Sequence, residues 1–137
     1  MKVKKQVEYL NSEIIIEYNF LALMLISVKK ADTHVVLSHE KISEIVEGCI
    51  TKEGDIYDKA AYLFKDIIQK HPFASGNRRT AFIATKSFLL KNRRKFNIDN
   101  DPKQAQTMLG IRAGYFQDNE IKGWIQNGPI REFKRFE

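Results

Sequence analysis

Asp55 to Lys91 reads DIYDKAAYLFKDIIQKHPFASGNRRTAFIATKSFLLK, and this stretch decides the fold. Ile56, Ala60, Leu63, Phe64, Ile67 and Ile68 recur at helical spacing and define a wide core-facing stripe. Asp55 suits the cap position, and Asp58, three residues on, favours the positive end of the same helix. Pro72 ends it, because the residue before a proline is pushed out of helical geometry. After a short loop a second helix is expected from about Asn77 to Lys91, burying Ala81, Phe82, Ala84, Phe88 and Leu89.

Working outward, Ser12 is expected to cap a helix running to about Lys30, apolar nearly all round and therefore a buried central helix. The apolar run Ile14 to Val28 carries Glu17 and Asn19 and falls short of the roughly 20 residues that cross a bilayer. No small-residue cleavage site follows it, so a signal peptide is not expected. Thr33 to Leu37 is β-branched and short, the pattern of a lone strand or flap. Ser38 should cap a short helix carrying Ile42, Ile45 and Val46. Asp101-Pro102 marks another helix start, with an end near Gly110 or Gly114. A last helix, capped by Asp118, carries Ile121, Trp124 and Ile125 and stops at Gly128-Pro129. The reading is an all-α domain of six helices over residues 1–137, with one short flap.

Composition narrows the partners. The chain has 137 residues, 43% of them hydrophobic, with a net charge of +6, which suits one folded domain and an anionic ligand or surface. Cys49 is the only cysteine, so an intramolecular disulfide and a thiolate metal cluster are excluded, consistent with a cytoplasmic protein. The run Lys91 to Lys95 falls in the last turn of a helix, where cations favour the dipole. It is read as a solvated helix end and not as a nucleic-acid patch, because no nucleic-acid-binding signature accompanies it.

The loop carries the chemistry. Gly76 lets the backbone approach a ligand or take a conformation closed to other residues. The amides of Gly76, Asn77, Arg78 and Arg79 open a helix and form an anion site. Two arginines at that end oppose the dipole at a cost of a few tenths of a kcal/mol or more, which a bound anion would reverse. Their guanidinium forks suit phosphate oxygens, and Asn77 offers an amide to the same anion. A neutral His71 imidazole can take a proton from a hydroxyl attacking phosphorus.

His71-Pro-Phe-Ala-Ser-Gly-Asn-Arg-Arg-Thr-Ala81 resembles the signature of the Fic/Doc proteins. Ile56 to Ala61, Phe88 to Asn92 and Glu120 to Trp124 resemble the flanking helices, so the likeness reaches over about two-thirds of the chain. It implies an all-α domain that moves AMP, or in the Doc branch of toxins a phosphate, from ATP or another nucleoside triphosphate onto a Ser, Thr or Tyr of a target protein. It also implies His71 as base, Asn77 and Arg79 as phosphate holders, Gly76 to Arg79 as the anion hole, and for the Doc branch a cognate antitoxin. Ser75 stands where relatives carry an acidic Mg²⁺ ligand, leaving any metal to rely on nucleotide phosphates. Arg78 and Phe82 lean toward the Doc branch. Ser43 to Gly48 fits the family's inhibitory pattern, but Phe82 replaces the arginine that Glu47 would pair with, so Glu47 is read as a surface residue. The alternative function is a catalytically silent module that binds nucleotide or protein.

Overall fold

The computed structural model describes residues 6–25, 34–99 and 101–134. It consists of six helices, α1 (Ser12–Leu25), α2 (His39–Thr51), α3 (Ile56–Lys70), α4 (Asn77–Lys91), α5 (Lys103–Arg112) and α6 (Asp118–Asn127), with no sheet among those residues. Asp55 starts α3 with a reciprocal cap: its carboxylate accepts from Asp58 N at 2.9 Å, and Asp58 accepts from Asp55 N at 2.8 Å. That exchange satisfies two of the orphan amides of the first turn.

The expected stripe makes α3 the central element. Ala60, Leu63, Phe64, Ile67 and Ile68 are buried, while Ile56 at the helix start is only half-buried. One flank of α3 packs on α4, and others meet α2, α5 and α6. Phe64 is fully buried and meets Trp124 of α6 edge to face, with ring centroids 5.7 Å apart. Lys59 is buried too, against expectation for a lysine. Its ammonium donates to Ile50 O at 2.9 Å and Lys52 O at 2.7 Å, closing the carbonyl end of α2, and lies over the Tyr9 ring. No periodicity argument could have marked it, because its partners are carbonyls distant in sequence.

Four expectations need correction. The first helix is not central: among the described residues α1 packs chiefly on α4 and α2, and Phe20, Leu21 and Met24 are exposed at 47%, 42% and 62%. Its cap is Asn11, whose Oδ1 accepts from Ile14 N, and not Ser12, which is already helical. Likewise α6 is capped by Gln117 in a reciprocal box with Glu120, and Asp118 is its first residue. Phe82 is half-buried and packs on Phe96 instead of entering the core. Other boundaries agree: Ser38 Oγ caps α2, Asp101 Oδ1 accepts from Lys103 N, α5 ends at Arg112, and α6 ends at Gly128. The stretch of the first helix expected from Ile26 to Lys30 and Thr33 of the flap lie outside the described residues.

The flap exists as one antiparallel bridge, Val36 to Phe73. Leu37 N donates to Pro72 O at 2.8 Å and Ala74 N to Val35 O at 2.9 Å. The segment before α2 is thus bonded along the loop between α3 and α4. No helix among the described residues is long and apolar enough to cross a membrane.

Replacing Phe64 with Ala should cost about 3–5 kcal/mol, the range for deleting a buried aromatic ring. Urea unfolding followed by circular dichroism measures it, with a lowered midpoint and unchanged slope expected.

Candidate anion site at the α3–α4 turn

His71 closes α3 in the left-handed conformation, φ 53° and ψ 58°, and its amide donates to Ile67 O. The turn that follows is held by one side chain. Asn77 is 5% exposed; its Oδ1 accepts from Phe73 N at 3.0 Å and its Nδ2 donates to Phe73 O at 2.8 Å. The second hydrogen of Nδ2 reaches His71 Nδ1 at 3.2 Å. Phe73 is fully buried beneath the turn, as its apolar character suggested. The structure therefore brings Asn77 to the site, with both ends of its amide engaged by the protein's own chain.

Gly76 precedes α4 at φ 79°, a region other residues enter only at a cost of roughly 1–2 kcal/mol. A Cβ there would lie 3.1 Å from Leu23 and 3.2 Å from the Asn19 amide. No side chain caps α4. Among the described residues the amides of Ser75, Gly76, Asn77, Arg78 and Arg79 donate to nothing. Arg78 and Arg79 are exposed and form no ion pair or hydrogen bond among the described residues. Five open donors and two exposed arginines thus stand at the positive end of a 15-residue helix.

Cations also surround the other side of the turn. Lys41 Nζ donates to Lys70 O at 3.1 Å, and Arg112 donates to Ile68 O and Gln69 O at 3.0 and 2.8 Å. They neutralise the carbonyl end of α3. Partial burial first, and then Arg112, Lys41 and Arg78, hold the His71 pKa below the ordinary 6.5. The ring is therefore neutral at pH 7 while its edge remains open to solvent.

Three residues of this site were not assigned a role from sequence. Asn19 appeared only as a polar interruption of an apolar helix, which was the available signal. It is fully buried, donating to Ser75 O at 2.8 Å and Thr80 Oγ1 at 3.1 Å and accepting from His34 Nδ1 at 2.8 Å. Lys41 and Arg112 carried no local signal, since only the packing of α2 and α5 on α3 brings them to the turn. Glu47 is exposed and pairs with neither arginine, in keeping with its reading as a surface residue.

The donor set does not fit a Mg²⁺ site of the protein's own. Ser75 Oγ is buried without a hydrogen-bond partner, so one hydroxyl is left over. It is neutral, and no group of three His, Cys, Asp or Glu stands together among the described residues to hold a metal. Mg²⁺ ordinarily takes one or two carboxylates besides phosphates and water.

Two helices joined by a glycine-opened turn, with unpaired amides beside a neutral histidine, frame a candidate anion site. The Fic/DOC family model matches residues 5–89, more than half of the chain, and the chain belongs to that family. Its members are as a rule transferases. The matched span includes the turn and all of α2 and α3, whereas the likeness noted at Glu120 to Trp124 lies beyond it. No curated protein matches the chain.

Inorganic phosphate should move the amide resonances of Gly76 to Arg79 before any others. The apparent affinity should fall as NaCl is raised, because exposed charges are screened. Gly76→Ala should lose this response and about 1–2 kcal/mol of stability.

Proposed function

We propose that the chain transfers phosphate, in the manner of the Doc branch, from a nucleoside triphosphate such as ATP onto a Ser, Thr or Tyr hydroxyl of a target protein. The observation that carries this reading is the pairing of open amides at Gly76 to Arg79 with an exposed imidazole at His71, five residues before Gly76. An imidazole buried and bonded away, or amides filled by the chain itself, would have ended the case. Neither arrangement is present among the described residues.

Each residue then has a role. The amides, fixed by the helix start, and the Arg78 and Arg79 guanidinium groups, ordered on binding, take the charge that develops on the transferred phosphoryl oxygens. Asn77 keeps the turn closed. In its neutral form the His71 ring has one lone pair. The solvent-exposed ring exchanges tautomers freely, and the Nδ1–H form gives up only the 3.2 Å contact to Asn77. Nε2 is then free to take the proton of the attacking hydroxyl. Among the described residues Val36 uses neither its N–H nor its C=O, so the flap edge can pair with an extended target segment beside the turn. Metal, where used, arrives on the nucleotide, held by its phosphates and water. Consumption of a nucleoside triphosphate fits a cytoplasmic protein.

Ser75 supports one rival, a silent module that binds nucleotide without turnover. ATP carrying label at the γ or the α position, incubated with a cell lysate, separates the outcomes. γ-label on protein is expected; α-label would mean AMP transfer, and binding without either label would mean the silent module. His71→Ala should lower transfer by roughly 10²–10⁴-fold, the usual worth of a general base, and unchanged labelling would refute the mechanism.

The pH profile follows from the sign of the His71 shift. Transfer needs the neutral ring, so the rate should rise through a midpoint below 6.5 and stay level above it. Lys41→Ala removes one of the charges that disfavour protonation and should move this limb upward. Ser75→Asp supplies the absent carboxylate and should lower the Mg²⁺ concentration needed for half-maximal transfer.

A further inference from the structure

Asn19 is fully buried in α1, where an apolar residue would avoid the cost of desolvating an amide. Its three hydrogen bonds reach Ser75 of the turn, Thr80 of α4 and His34 of the flap. The chemistry fixes their direction. Ser75 O can only accept, so Nδ2 faces it, and Oδ1 must accept from the Nδ1–H of His34.

A trans peptide points its C=O and N–H in opposite directions, and the chain has no cis bond among the described residues. Holding Ser75 O inward at 2.8 Å therefore turns Gly76 N–H outward, toward the anion site. The second bond works through a relay. Asn19 donates to Thr80 Oγ1, which donates to Gly76 O at 2.8 Å, and this turns Asn77 N–H outward in the same way. Gly76 O also accepts from Thr80 N at 2.8 Å, the first backbone bond of α4, so Asn19 aims the Gly76 amide directly and braces the Asn77 amide that α4 already orients. The third bond ties His34, whose ring stacks on Phe73 and meets Phe20 edge to face, to the same amide.

The geometry points to Asn19 as a positioning residue that presets the Gly76 and Asn77 amides for phosphate and couples their occupancy to the flap through His34. This rests on the phosphate-site reading above and assigns its regulation: phosphate on the turn tightens the flap, and by reciprocity an ordered flap raises phosphate affinity. Asn19→Asp keeps the shape and the acceptor for His34 but removes both donors, setting a carboxylate against Ser75 O. His34→Phe keeps the ring contacts and removes only the bond to Asn19.

Three readouts decide it on the full chain. ATP affinity is measured by calorimetry, exchange of the Leu37 and Ala74 amides by NMR, and stability by urea unfolding. Asn19→Asp should weaken ATP by at least about tenfold, whereas His34→Phe should weaken it only by the smaller factor by which ATP slows flap exchange in the native chain. His34→Phe should speed exchange at Leu37 and Ala74 by about fivefold or more. Saturating ATP should slow that exchange in the native chain and not in His34→Phe. Ile15→Val, in the same helix and fully buried, is the control, expected to lower stability without changing ATP affinity.

The proposal is overturned if Asn19→Asp binds ATP like the native chain, or if Ile15→Val loses as much affinity per unit of stability lost. It is equally overturned if ATP slows exchange to the same extent in His34→Phe. Should the native chain bind no ATP, the phosphate reading fails. The latch is then judged by exchange alone, and unchanged rates at Leu37 and Ala74 in both variants would remove it.

Discussion

The buried amide of Asn77 closes the turn from which the site is built. Its two bonds to Phe73 make a short cycle across five residues, and its third hydrogen bond reaches the His71 ring. Without it, Phe73 N and O would face one another's surroundings unpaired in a buried setting, a cost of about 1–3 kcal/mol for each group. No other side chain is placed to serve both, and an aspartate could accept from Phe73 N but could not donate to Phe73 O. The turn in turn sets where α4 begins, and thereby where the positive end of its dipole emerges. It also holds the Val36 to Phe73 bridge that fixes the flap. Packing of α3 on α4 keeps the two helices together, but packing is non-directional. The directional content of the site enters through this amide and the Asn19 amide beneath it.

Charge is distributed around the turn in an unfavourable way for an empty protein. The carbonyl end of α3 is neutralised by Lys41 and Arg112, which is a stabilising placement. The amide end of α4 carries Arg78 and Arg79, which is not. The same cluster depresses the His71 pKa, so one set of charges attracts an anion and keeps the neighbouring imidazole neutral. A bound phosphate would relieve the repulsion at α4 and partly restore the histidine toward its ordinary value. Burial is the larger cause of the shift and stays in place, so the base is retuned and not lost.

Much of this was legible in the sequence because the information was local. The α3 stripe, the Asp55 cap, Pro72 as a stop and Gly76 before an arginine-opened helix are all short-range features that the fold respects. The resemblance of His71 to Ala81 to a known signature pointed to the same turn. Errors arose where a local rule met a tertiary fact. An all-round apolar α1 looked central, but α3 occupies that position, and Phe20 and Met24 remain exposed. Two adjacent residues competed for the cap at Asn11–Ser12 and at Gln117–Asp118, and in each pair the earlier one won. A reciprocal partner explains this at Gln117, where Glu120 returns the bond. Asn77 was read as reaching the anion, whereas it faces inward; nothing in its spacing distinguishes the two, because both need the same residue at the same place. Lys59, Lys41 and Arg112 act on carbonyls 7 to 44 residues away, beyond any periodicity.

The same charge pattern bears on Ser75. Every fixed charge on the turn, from Pro72 to Arg79, is positive, and Lys41 and Arg112 add to that sign from neighbouring helices. A free divalent cation is repelled by such a field, while a triphosphate is drawn into it. A carboxylate at position 75 would lower the repulsion and give the ion a hard anionic ligand, but it would also weaken the hold of Arg78 and Arg79 on phosphate. With serine the hydroxyl lies buried and unpartnered and leaves the field unaltered. On the proposed reading the site recognises the anion first, and any metal enters only with its charge masked by the phosphates that carry it. This order follows from where the charges stand, and it gives the open amides of α4, held outward by Asn19, the leading part in binding.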